Sequence, residues 1–179
     1  MDKAKLIEFV RPYYADKDIM HNLWHIELVE KWVHKILAMS SHDVNIEHLT
    51  FATYFHGFIY SHESVIRDWL NTQGFSAEDI GKIVQIAHES QRTGIPASIE
   101  GKILHDAHLI EGGKVYLITK CLITGSMRGQ NLLETIDYIE ANILDKSTCY
   151  LPETMELFKD VNRFANEFIA ELKKGILFD

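Results

Sequence analysis

His21-Asn22-Leu23-Trp24-His25-Ile26-Glu27-Leu28-Val29-Glu30-Lys31-Trp32-Val33-His34-Lys35-Ile36 is the stretch that decides the fold class. Its apolar positions Leu23, Trp24, Leu28, Val29, Trp32, Val33 and Ile36 recur at three- and four-residue steps, which winds them onto one face of an α-helix reaching about Met39. The same period governs the rest of the chain. Leu6, Phe9 and Val10 predict a short first helix stopped near Pro12. Asn45 is a candidate N-cap for a third, carrying Leu49, Phe51, Ala52, Phe55 and His56, with Gly57 at its end. Glu63 to about Leu70 reads as a fourth. After the turn at Gly74, Ser76 caps a fifth running to about His88. A loop is expected over 93–96, then a helix from Ser98 to about Leu109 ending at Gly112-Gly113. Val115 to Ile123 follows, stopped by Gly125 and Gly129, then Leu132 to Leu144. The last and longest, Glu153 to about Lys174 after Pro152, turns Leu157, Phe158, Val161, Phe164, Phe168, Ile169 and Leu172 to the core. With three prolines and no sustained Val/Ile/Thr alternation, a sheet is not expected. The fold class is therefore all-α, a single-domain bundle over 1–179 of about eight to nine helices.

Composition narrows the function classes. A length of 179 residues with 46% hydrophobic side chains is enough for one real core. The net charge of -8, with no basic run, disfavours duplex nucleic acid and anionic membrane surfaces as partners. No stretch approaches the length of a membrane span. Cys121 and Cys149 form no CxxC or CxxH pattern, and residues 1–8 carry acids where a secretion signal would be apolar, so a cytoplasmic home is expected. The C-terminal helix and the aromatics Tyr13 and Tyr14, expected on the surface, leave room for a homo-oligomer.

Ten histidines are many for this length. His34, His42 and His48 are expected on helix surfaces or in a loop. His21 and His25, spaced i, i+4, share a helical face and can present two nitrogens to one metal; a pair of half-buried polar residues beside Trp24 would look the same. His56 ends the apolar run Phe51-Ala52-Thr53-Tyr54-Phe55 and needs a partner, either a metal or a backbone carbonyl. Asp106, between Leu104 and Leu109 and flanked by His105 and His108, must be paired, hydrogen-bonded or metal-bound. His88 either caps its helix at the dipole's negative end or faces the site.

In order, these segments resemble the HD-domain superfamily of metal-dependent phosphohydrolases, most of all its small single-domain bacterial members. Asp18-x-x-His21-Asn22-x-x-His25 follows the family's Asp-x-x-His-Asp-x-x-His with one Asp-to-Asn change. Ile83 to His88, Lys102-Ile103-Leu104-His105-Asp106-Ala107-His108, Thr135 to Glu140 and Arg163 to Phe168 are similar to later family segments, so the likeness spans most of the chain. Three positions depart. The His-Asp doublet is degenerate, His56-Gly57; His108 replaces the second Asp of Asp-Ala-Asp; Leu28 stands where many relatives carry Arg.

The resemblance implies a divalent metal ion (Mn, Zn, Fe or Mg) on His25, His56 and Asp106, and a small phosphorylated substrate, a nucleotide among the options. It further implies substrate contacts or proton relay by His21 and His88. Lys102 and Arg92 are the candidate phosphate-binding cations, and His62 and Glu63 candidate replacement ligands. With Gly57 for Asp, Mg²⁺ loses most. Two histidines and a carboxylate still match a catalytic zinc site or a non-haem iron site, and Gly57 is expected to open space beside the metal. Two further readings follow from the same residues: a degenerate relative that binds a ligand or partner without hydrolysis, and a mononuclear iron enzyme.

Overall fold

The computed structural model describes residues 2–92 and 94–177; Thr93, in the expected 93–96 loop, lies outside the described residues. All described regular structure is helical. The elements are α1 (Lys3–Val10), a 3-10 turn (Arg11–Tyr14), α2 (Leu23–Met39), α3 (Ile46–Phe55), α4 (Ile59–Thr72), α5 (Ala77–Glu89), α6 (Ile99–Ile110), α7 (Gly113–Met127), α8 (Leu132–Asn142) and α9 (Pro152–Leu177). The expected caps are in place. Side chains of Asn45 and Ser76 accept from the first-turn amides of α3 and α5, and Ser98, not read as a cap from sequence, does the same for α6. Asn22, where the resembled family has Asp, caps α2 by accepting from the amides of Trp24 and His25.

Two elements differ from expectation. Helix α4 begins at Ile59, not Glu63, and carries a non-helical residue at His62. Helix α7 continues to Met127 straight through Gly125. Gly125 does not end the helix because its role is steric. A Cβ there would meet Thr135 Oγ1 of α8 at 2.3 Å, so glycine lets the two helices close on each other. The turn from α6 into α7 does need glycine, since Gly112 and Gly113 have φ of +62° and +73°.

Two apolar clusters build the molecule. The larger joins α1 to α6 around Phe55, Ile26, Ile66, Leu70 and Ile103. The smaller lies among α7, α8 and α9, around Ile118, Ile136, Ile139, Ala165 and Ile169. Between them is a cavity of about 390 Å³, its floor from α2, α3 and α6 and its opposite wall from α7 and α8. Tyr14, expected on the surface, is 2% exposed and belongs to the larger core. No helix among the described residues is long and apolar enough to cross a membrane.

Candidate functional site

Three histidines meet on the cavity floor: His25 in the first turn of α2, His56 at the C-terminus of α3 and His108 in α6. One nitrogen from each lies within 4.8 Å of the others, and no other such group of His, Cys, Asp or Glu occurs among the described residues. What surrounds each ring fixes which nitrogen is free. His56 Nδ1 donates to the Thr53 carbonyl at 2.6 Å, and His108 Nδ1 to the Ser90 carbonyl at 3.2 Å. His25 Nδ1 lies 2.5 Å from Glu111 Oε2, off the line of a hydrogen bond, so both atoms stay without a partner. In His56 and His108 that leaves Nε2 with a bare lone pair, and at His25 the adjacent Glu111 carboxylate favours the same tautomer. The Nε2 atoms of His25 and His56 face each other at 3.4 Å.

Burial holds these rings neutral. It pushes His25 down to about 2, with the Lys120 ammonium adding to the effect. It pushes His56 down to about 3 and His108 well below the ordinary histidine range. Neutral imidazoles turning lone pairs on one point repel one another unless a cation sits between them. Two nitrogens each about 2.05 Å from a tetrahedral zinc lie about 3.3 Å apart, close to the spacing found here. The donor set therefore fits a zinc-like ion with an open position, and fits Mg²⁺ poorly because it offers nitrogen in place of oxygen.

Asp106 does not join the group. Its carboxylate, 0% exposed, turns to the start of α9. There it accepts from the amides of Tyr150 (2.9 Å) and Leu151 (2.8 Å) and from Thr154 Oγ1 (2.6 Å), with His105 Nδ1 at 3.0 Å. It is an anion neutralising a helix N-terminus, so the expected ligand set of two histidines and one carboxylate is corrected to three histidines. The iron reading loses its carboxylate with it. Helix geometry explains the exchange: Asp106 and His108 lie about 200° apart around α6, so they cannot both face the cavity.

The space beside Gly57 is not open either. A Cβ at Gly57 would come within 2.7 Å of the Tyr14 ring and hydroxyl. Tyr14 OH donates to the Tyr54 carbonyl and accepts from the Gly57 amide, which fixes the ring there.

The other expected site residues divide. His21 lines the cavity, its Nδ1 held by Asp18 at 2.9 Å, and Arg92 lines it too. His88 and Glu63 pair with each other at 2.8 Å outside the cavity, Glu63 also binding Arg67. His62 bonds Ser61 at 2.8 Å and stands edge-on to Tyr13, and it reaches no metal position. Lys102 is not among the lining residues. His48 is buried against Asp79, not on the surface. Residues not singled out from sequence are Lys17, Glu111, Tyr116 and Lys120. Glu111 is 5% exposed and ion-paired to Lys120, and Lys17 Nζ donates to the Gly57 carbonyl at 2.5 Å. The i, i+3 pair His108 and Glu111 was the sequence signal for the correct face of α6. Charged lining residues are Lys17, Arg92, Lys120 and Arg128 against Glu111, a basic pocket in a chain of net charge -8.

Fold and floor together define an all-helical bundle with a three-histidine group able to hold a metal ion. Bacillus subtilis YpgQ has a similar structure, with a TM-score of 0.73 at 20% identity over 98% of each chain. YpgQ in complex with ADP gives 0.72 at 19% identity over 94% of this chain and 97% of that one. Lin1889 from Listeria innocua gives 0.70 at 21% identity over 98% of both. The likeness is one of fold. No family model and no curated protein matches the sequence.

Proposed function

We propose that this chain is an HD-domain-like, metal-dependent phosphohydrolase acting on a small phosphorylated molecule, with one divalent ion, zinc by preference, on His25, His56 and His108. The convergence of three neutral Nε2 atoms carries the reading, since each ring's other nitrogen is already engaged or abutted by an acceptor. His25, His56 and His108 would hold an ion that would supply Lewis acidity toward a phosphoryl oxygen and lower the pKa of water.

The protein's own groups do the rest. Glu111 beside His25 Nδ1 favours the proton on that nitrogen, leaving Nε2 for the ion. Lys17 and Lys120 bring positive charge to the phosphoryl group from the cavity wall. Asp18 orients His21, whose Nε2 carries a proton between solvent and leaving group. The ADP complex of a protein of this fold supports including nucleotides in the first assays. Free cysteines suit a cytoplasmic setting.

The second reading is a ligand-binding relative without hydrolysis. Tyr14 favours it, because its ring fills the place of the doublet carboxylate. Metal analysis of protein purified without chelator tests the first reading: one ion per chain, lost in His56→Ala, with turnover of an aryl phosphate or a nucleotide that falls alongside. Metal-free protein whose melting temperature ignores added Zn²⁺ and Mn²⁺ would overturn it in favour of the second.

A further inference from the structure

The cavity has a second end. Buried side-chain atoms without a hydrogen-bond partner, among the described residues, are His25 Nδ1, Glu111 Oε2, Tyr116 OH, Arg92 Nε, Thr124 Oγ1 and Gln130 Oε1, and every one belongs to a residue lining this cavity. The first three surround the histidines. Thr124 and Gln130 lie on and just after α7, and Arg92 follows α5.

Helix α7 sets the scale. Tyr116, Lys120, Thr124 and Arg128 follow one another at i, i+4 down the face it turns to the cavity. Lys120 marks the histidine end through its ion pair with Glu111. Arg128, two turns further, is about 12 Å along the axis. Arg92 stands between the two ends, near Cys121, Glu111 and Tyr138, and Arg128 lies over the same Tyr138 ring at 5.4 Å.

Arg92 is the telling group. Its Nε is shut off from solvent, and no carboxylate lies within ion-pair distance of the guanidinium among the described residues. Glu111, the acid lining this cavity, is already ion-paired with Lys120. A half-buried guanidinium whose Nε is closed to water and lacks a counter-ion is costly, and an anion from outside would supply the charge-assisted partner it lacks.

We propose that Arg92 and Arg128, with the Thr124 hydroxyl on the same cavity, form a second anion subsite, so that the ligand is a phosphate ester carrying another acidic group, carboxylate or phosphoryl, remote from the one at the histidines. The histidine end of this ligand rests on the function proposed above; the far end does not. Calorimetric titration of the protein as purified tests it with hexyl phosphate, hexanediol bisphosphate and the phosphate ester of hydroxyhexanoate. The two-ended ligands bind at least about tenfold tighter than hexyl phosphate, and whichever of them gains more identifies the far acid. Arg92→Met and Arg128→Met each remove that gain and leave hexyl phosphate unchanged. Ligand-free Arg92→Met also melts higher than the parent, because an uncompensated charge is gone, which a structural arginine would not do. Equal binding of all three compounds overturns the subsite while metal-dependent hydrolysis of monoesters can still stand. A two-ended preference without any hydrolysis upholds the subsite and overturns only the activity. A gain that survives both arginine variants overturns the subsite.

Discussion

Asp106 and His108 are two residues apart on one helix, and they live in opposite circumstances. The Asp106 carboxylate is saturated by donors at the head of α9. His108 spends one nitrogen on the Ser90 carbonyl and turns the other, with nothing on it, toward His25 and His56. Both side chains are polar groups in an apolar helix. What separates a scaffold residue from a ligand here is whether its capacity for partners has been used up, not how deeply it is buried.

The largest effect expected from this contrast is on stability. Asp106→Leu strips the partners from two amides at once and leaves the Thr154 hydroxyl only the Leu151 carbonyl, a loss of about 3–5 kcal/mol. For a chain of this size that lowers the melting temperature by roughly 10 °C or more. Asp106→Asn keeps part of the network and should recover part of the loss while leaving metal content at one ion per chain. If Asp106→Asn instead melts like the parent and loses the ion, the assignment of the two residues is inverted.

Next in size is pH. The unfolded chain takes up protons on its histidines below about pH 6.5, while folded His25 and His56 resist until about 3 or lower. Folding stability is then fully present above pH 6.5 and is lost as pH falls below it. The ceiling is ~1.4 kcal/mol per pH unit for each ring that stays neutral. Urea denaturation between pH 7.5 and 5 should show this slope, and His56→Leu should flatten it. If the three histidines take the proposed ion, added zinc should raise stability most at the upper end, because protons compete for the same nitrogens. A slope untouched by His56→Leu would mean that the titrating groups lie elsewhere.

The fold was legible because the helices announced themselves by period, and α3 and α5 by their caps as well, and His25 and His56 because one begins a helix face and the other closes an apolar run. The inward face of α6 was not legible in the same way. Gly101, Ile103 to Ala107, Leu109 and Ile110 are all buried, so the helix has no solvent face to give its phase. Only its neighbours say that Asp106 points to α9 and His108 to the cavity. Tyr14 was missed for a related reason. Its approach to Gly57 joins residues more than forty positions apart, and a tyrosine following Pro12-Tyr13 carries no mark of burial. Helix α7 was cut short because Gly125 was taken as a stop, when its missing Cβ serves Thr135.

Replacing Gly57 by Asp examines that contact directly. The substitution forces a side chain into the Tyr14 ring, an overpacking cost of about 1–3 kcal/mol, and the lone variant should be less stable and gain no metal. Gly57→Asp with Tyr14→Ala removes the clash and places a carboxylate beside the histidines, which should shift preference from Zn²⁺ toward Mn²⁺ in a thermal-shift series. A lone Gly57→Asp variant of parental stability would show that Tyr14 yields easily and that the place was open after all.

The smallest effect concerns Asn22, the one remaining position where the resembled motif has an acid. In the structure it is a cap, its side-chain oxygen accepting from Trp24 N at 3.0 Å and His25 N at 3.4 Å. It thereby fixes the first turn on which His25 stands. Asn22→Ala should cost about 1 kcal/mol, the ordinary value of a lost N-cap. Asn22→Asp keeps the acceptor and adds a negative charge at a helix N-terminus, worth about 0.3–1 kcal/mol in favour of the fold. Neither change alters the number of ions bound, because the side chain faces its own helix amides. Chemical denaturation and metal analysis of the two variants together decide the matter. A capping residue separates them by stability alone, whereas tighter metal binding by Asn22→Asp at unchanged stability would make this residue a lapsed ligand, on the His108 side of the contrast.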